Sequence, residues 1–390
     1  MSNKKLGDIR QSVFNEKIFN AVKEPMFLGE SVNIARYDVQ KYPFLEALIN
    51  KQLSFFWRPE EIPLELDAGD YQKLSKSERR IFTSNLKYQI LLDSVNGRSP
   101  NLAFLPIVSI PELETWIETW AFSETIHSRS YTHILRNIVA DPSEFFDDIL
   151  TEKEIVDRAK DVTTHFDSLI NYVNYYNLYG FGVFEIKDTK SGEIITVDIN
   201  KREMFKLIYL ALTGVFILET IRFYVSFACS FAFAERRKME GNAKIIKLIA
   251  RDEALPGTAV RNLLMVMVDG QEGSLFREVA LECQDEVDQM YKTAANQEKQ
   301  WSKFLFSDGS MIGLNHETLS LYIDYITNDR YRSVFERDIL DKPIKSDPLP
   351  WMNHWLSGNA VQVANQEAES TNYVIGGIDN KMSDDYKDKI

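Results

Sequence analysis

From Leu207 to Ala234 the chain reads LIYLALTGVFILETIRFYVSFACSFAFA, 28 residues whose only charges are Glu219 and Arg222. A run so long and so apolar belongs either across a lipid bilayer or at the centre of a helical protein, where every face of the helix is hidden. Two charges one turn apart at its middle would be costly in lipid, and no second span stands ready to pair with them. The expectation is therefore a core helix enclosed by other helices. Apolar residues recur at helical spacing over 77–96, 111–138, 151–178, 203–240, 242–255, 272–306 and 315–331, with Pro and Gly concentrated between these stretches. The fold is expected to be mostly α. One departure, VFEIKDTKSGEIITVDI at 183–199, flanks KSG with β-prone runs and predicts a small peripheral β-hairpin. After about 340 the helical pattern stops in the proline-broken DKPIKSDPLPWMNHW and a polar remainder. That divides the chain into a helical body, 1–345, and a flexible C-terminal tail, 346–390.

Composition narrows the setting. With 390 residues, 44% of them hydrophobic, the chain can bury a large core of its own. A net charge of −13 disfavours a nucleic-acid partner, since phosphate binding draws on clustered Lys and Arg. Cys229 and Cys283 are too few for a disulfide framework, and the polar start MSNKKLGDIRQS has no apolar signal core, so a reducing, cytoplasmic location away from membranes is expected.

The acids carry the chemistry. Asp93 closes the apolar run ILLD, Glu124 and His127 form an E-x-x-H pair, Glu219 sits in the middle of the core run, and Glu253 lies in IARDEALPGT. At ~100° per residue, Glu124, His127 and Tyr131 share a ~60° arc of one helix face. Each acid has a plainer reading: Asp93 as a helix-terminal acid, Glu124 with His127 as a solvated face, Glu219 as a partner for Arg222. Their joint occurrence in apolar helical surroundings outweighs these. Four helices each presenting an inward carboxylate is the pattern by which ferritin-like bundles hold two iron or manganese ions. Hard oxygen ligands and one imidazole per ion suit such metals, and cations would allow several buried carboxylates to remain ionised. Rival motifs fail: YGFG lacks the third glycine of a dinucleotide site, and neither G-x-x-x-x-G-K-[ST] nor G-x-S-x-G occurs.

Several long blocks then resemble one family. FFWRPEE (55–61), NLKYQILLDS (85–94), ETWAFSETIHSRSYTH (118–133), IRFYVSFACSFAFAE (221–235), MEGNAKIIKLIARDEAL (239–255) and DGSMIGLN (308–315) look like the radical-generating small subunit of class I ribonucleotide reductase. The resemblance runs from about residue 24 to about 380. It implies that Asp93, Glu124, His127, Glu219 and Glu253 are metal ligands, that two iron ions (or manganese) are held per chain, and that Tyr131 is oxidised to a stable radical. Phe223, Phe227 and Ile249 would be the dry pocket of that radical. Trp57 and Asp252 would be the relay leading outward, and Tyr373 the relay residue at the boundary with a large catalytic subunit. A homodimer is also implied.

One position departs from the family pattern. Where the second metal's histidine is expected, this chain has Pro256, and neither Leu255 nor Gly257 can substitute. A proline costs ~3 kcal/mol in a helix interior, so with Gly257 it predicts a helix that ends or kinks just after Glu253. Three readings remain: a working small subunit with a weakened second metal site, a catalytically silent one acting as a structural or regulatory partner, and a different di-metal oxygenase. Retention of Trp57, Asp252, Tyr131 and Tyr373 together disfavours the third, which needs no outbound relay.

Overall fold

A computed structural model describes residues 15–187 and 191–357 of the chain. In chain order its helices are α1 (Pro43–Ser54), α2 (Glu65–Lys73), α3 (Lys76–Asn96), α4 (Ser99–Ala103), α5 (Pro111–Ile138), α6 (Pro142–Asp148), α7 (Lys153–Tyr179), α8 (Lys201–Ile217), α9 (Phe223–Ala234), α10 (Glu240–Val268), α11 (Ser274–Glu282), α12 (Gln284–Leu305), α13 (His316–Phe335) and α14 (Met352–Leu356). Strands β1 (Gly182–Lys187) and β2 (Ile194–Ile199) form the expected antiparallel hairpin, in register from Gly182 opposite Ile199 to Lys187 opposite Ile194. Helices α3, α5, α8, α9 and α10 pack on one another around the site described below. The start of α3 is fixed by a capping box, in which the Ser75 hydroxyl accepts from Glu78 N and the Glu78 carboxylate accepts from Ser75 N.

The long apolar run is the buried core element expected of it. Its most hydrophobic window is 83% buried. It is not one uniform helix, however. Between α8 and α9 the segment Leu218–Arg222 widens into a π-turn, a geometry that inserts a residue into the ladder and often marks a functional site. There the two charges part company. Arg222 donates to Glu298 Oε1 at 2.9 Å and to Asp161 Oδ2 at 2.6 Å, while Glu219 accepts from Asn96 Nδ2 at 2.7 Å. The pairing of Glu219 with Arg222 allowed by their spacing is thus not the one that forms.

Helix α10 corrects a second expectation. It runs on through Pro256 to Val268 instead of ending after Glu253. The reason lies in the closing turns of the helix, where Val260, Leu263, Leu264 and Met267 are fully buried. Hiding each such side chain contributes ~1.5–3 kcal/mol, so together they outweigh the ~3 kcal/mol that an internal proline costs. The expected 272–306 helix is likewise divided, at Cys283, into α11 and α12. At the other end of the body, α14 lies against α9 and α10. Its Trp355 ring stacks on Phe231 with centroids 5.1 Å apart, its indole N–H donates to Glu235 Oε1 at 2.8 Å, and Lys247 lies 5.9 Å from the ring centroid. Tyr373 and the rest of the expected tail beyond Ser357 fall outside the described residues.

Gly257 permits the close approach of α10 to the π-turn, because a Cβ there would stand 2.8 Å from Thr220 Cγ2. Gly257→Ala should therefore lower stability by ~1–3 kcal/mol through overpacking, against the ~1 kcal/mol gain that alanine brings to an open helix position. Adding Thr220→Ser, which deletes the opposing methyl, should recover most of the loss in urea unfolding.

Candidate metal centre

Four elements converge on one dry point. Ligand-capable atoms of Asp93 on α3, Glu124 and His127 on α5, and Glu253 on α10 all lie within 4.8 Å of one another, and all four residues are buried. His127 Nδ1 stands 3.0 Å from Glu253 Oε1 and 3.3 Å from Glu124 Oε2. Glu219, from the π-turn, joins through Asn96, whose Nδ2 donates to Glu219 Oε1 at 2.7 Å and to Glu124 Oε1 at 2.9 Å. These two carboxylates are therefore within two hydrogen-bond lengths of each other. Gly97 makes the approach of α3 to α5 possible, since a Cβ there would stand 3.3 Å from Glu124 Cβ. Trp120 Nε1–H also donates to Glu124 Oε1 at 2.9 Å.

The electrostatics show what this arrangement lacks. Burial, reinforced by the neighbouring Glu124 charge, pushes the Asp93 carboxyl well above the usual carboxylate range. Burial and then Glu253 raise Glu124 to about 7, and the same two causes carry Glu219 well above its ordinary value. Burial alone would lower the His127 imidazole, yet the Glu253 charge and its contacts with Asp252 and Glu124 raise it well above. Both oxygens of Asp93, Glu253 Oε2 and Glu219 Oε2 are buried with no close hydrogen-bond donor. Unpaired buried carboxylate oxygens are among the most costly groups a protein can carry. Their density here, with one imidazole among them, fits a divalent cation of the iron or manganese type.

Hydrogen bonds also link the centre to Trp57. His127 Nε2 lies 3.4 Å from Asp252 Oδ2, and that same oxygen accepts from Trp57 Nε1–H at 2.8 Å. Arg251 bonds Asp252 Oδ1 at 2.9 Å and the Phe55 carbonyl at 2.7 Å, which locks the acid in place. Tyr131 is wholly buried beside Asp93, and burial together with the Asp93 charge holds the phenol well above its ordinary value. Phe223, Phe227 and Ile249 are excluded from solvent, the two phenylalanine rings stacking with centroids 5.8 Å apart.

Pro256 is buried in α10 and offers no donor atom. The other four histidines are engaged elsewhere: His133 with the Ile62 carbonyl, His316 with Ser302, His354 against Trp355, and His165 in a cleft of about 190 Å³ beside Asp161 and Arg222. Sequence reasoning missed Asn96, Trp120 and Arg251. For Asn96 a signal existed, because it follows Asp93 by three residues as His127 follows Glu124.

With this geometry in hand, the comparisons agree. The family described as "Ribonucleotide reductase, small chain" matches residues 36–337. The chain is 54% identical over 376 residues to "Ribonucleoside-diphosphate reductase 1 subunit beta" of Escherichia coli O157:H7, covering 96% of this chain and 97% of that one. It is 41% identical over 385 residues to "Ribonucleoside-diphosphate reductase subunit beta" of Enterobacteria phage T4, again covering 96% and 97%. Among solved structures, the "Ribonucleotide reductase R2 subunit from Clostridium botulinum" shares the fold, with a TM-score of 0.74, 22% identity and coverage of 89% and 98%. The chain belongs to the small-chain family of ribonucleotide reductase, a family of oxidoreductases built on a ferritin-like bundle. The reading of a silent subunit gains no support from these relatives.

The raised carboxyls predict a pH signature. Glu124, with a folded pKa of about 7 against ~4.3 unfolded, favours the folded state when protonated, so that contribution is lost as pH rises from the lower value through the higher. His127, also raised, has the same sign. Chelator-treated protein should melt at a lower temperature at pH 8 than at pH 6, and added manganese should abolish most of the difference.

Proposed function

We propose that this reductase small subunit generates a radical at Tyr131 and passes its oxidising equivalent outward through Asp252 and Trp57. The observation that carries the reading is the hydrogen-bonded continuity of a carboxylate-rich centre with Trp57 through a single Asp252 oxygen. Asp93, Glu124, His127, Glu219 and Glu253 would hold the ions, and iron or manganese bound there would supply the oxidising power that a phenol requires. His127 offers Nδ1 to the centre and keeps Nε2 on Asp252, which fixes its tautomer and orientation. Phe223, Phe227 and Ile249 keep water and reductants from the oxidised phenol.

Beyond Trp57, Tyr373 carries the equivalent to the active site of a large subunit, where ribonucleoside diphosphates become deoxyribonucleotides for DNA synthesis. Residues after about 355 dock on that subunit, with Val361, Val363, Val374 and Ile375 as apolar anchors. The subunit works as a homodimer in the cytoplasm. With Pro256 in place of an imidazole, the second ion is held more weakly than the first, since loss of one ligand commonly costs 10- to 100-fold in affinity.

Three experiments test this. Metal analysis of the intact protein should give fewer than two tightly held ions per chain and a small tyrosyl signal by electron paramagnetic resonance, and Pro256→His should raise both. Two tight ions and a full signal without that substitution would refute the half-site reading. Separately, Trp57→Phe and Tyr373→Phe should leave the tyrosyl signal intact while abolishing reductase turnover with the large subunit. A chain truncated at 355 should lose affinity for that subunit. Undiminished binding would remove the docking role.

A further inference from the structure

The second half of the centre, lacking an imidazole, has a neutral polar side chain of another kind beside it. Asn96 follows Asp93 by three residues on α3, the spacing that places His127 beside Glu124 on α5. Each helix thus turns an acid and a neutral donor toward the same point. The Asn96 side chain is fully buried, and its Nδ2 straddles Glu219 Oε1 and Glu124 Oε1 at 2.7 and 2.9 Å. Its Oδ1 is buried with no partner, and so are Glu219 Oε2 and Glu253 Oε2. A buried carboxamide that spends its donors on two carboxylates and leaves its acceptor idle is an arrangement in want of a cation. A half-turn about Cβ–Cγ exchanges the amide nitrogen for the oxygen without moving the backbone.

We propose that Asn96 supplies, through Oδ1, the neutral ligand that Pro256 withholds, and so completes with Glu124, Glu219 and Glu253 an all-oxygen second site beside the imidazole-bearing first one. The inference rests on the reading of the chain as a di-metal small subunit. An amide carbonyl is a harder ligand than imidazole, and an all-oxygen set suits manganese(II). The second ion is therefore held more loosely than the first and is biased toward manganese.

The test is a manganese(II) titration of the chelator-treated full-length protein, with free ion followed by electron paramagnetic resonance and bound ion by elemental analysis. The unmodified chain should show a tight class and a weaker class of site. Asn96→Ala should weaken the second class by at least about 10-fold and leave the first unchanged, which also reports that the variant has folded. Asn96→Asp, nearly isosteric, keeps an oxygen ligand but loses the N–H donors, and it should retain the second class. An unchanged second class in Asn96→Ala overturns the proposal. So does an Asn96→Asp variant as weak as Asn96→Ala, which would leave Asn96 only as a hydrogen-bond donor to the carboxylates. A single class in the unmodified chain overturns the second site alone, whereas no binding at all removes the underlying di-metal reading.

Discussion

The rest of this structure depends on the enclosure of more carboxylates than the protein can neutralise by itself. Asp93, Glu124, Glu219 and Glu253 are brought together where water cannot reach, with the His127 ring among them. Much of the local architecture exists to make that gathering possible. The π-turn aims Glu219 inward, Gly97 lets α3 approach α5, and Gly257 lets α10 approach the π-turn. None of these devices improves a plain helical bundle. A π-turn sacrifices regular hydrogen bonding, and Gly257 costs ~1 kcal/mol in the interior of α10.

The contrast with Arg222 is instructive. Only three residues from Glu219, this guanidinium is equally buried, yet it is answered by Glu298, Asp161 and the Gln297 side-chain oxygen. The fold is thus able to supply a counter-charge when a buried ion is to remain a structural element. At the carboxylate cluster it supplies only one imidazole, and it places Trp120 and Asn96 as neutral donors. A centre with its own guanidinium would be more comfortable and would leave no room for a dication.

Much of the fold and the centre is legible from residue types alone. The core helix, the E-x-x-H face and the hairpin follow from periodicity and turn chemistry, because burial repeats along a helix in a way that sequence repeats too. What escapes are features set by neighbours distant in the chain. The π-turn at Glu219 has no local signature, since the residues of Leu218–Arg222 would serve equally well in an α-helix. The local cost of Pro256 is plain in the sequence, but the buried residues beyond it override that cost. Asn96 draws no notice because a lone amide near a helix end normally signals only a cap, and its meaning depends on Glu124 and Glu219 arriving from other elements.

The stacking of Trp355 on Phe231 has a consequence for timing and not only for stability. Lys247 and Arg251 are one turn apart on α10, the first beside Trp355 and the second bonded to Asp252. The last described helix is therefore fixed to the same helix that carries Asp252. From Ser357 to Tyr373 there are 16 residues, and covalent geometry limits their reach to ~3.3–3.6 Å each, or about 55 Å in all. On the proposed relay, the anchor thus limits how far Tyr373 can lie from Trp57 and raises its effective concentration there. In that reading, a meeting of Tyr373 with Trp57 is an intramolecular event, with a rate that does not depend on how dilute the protein is.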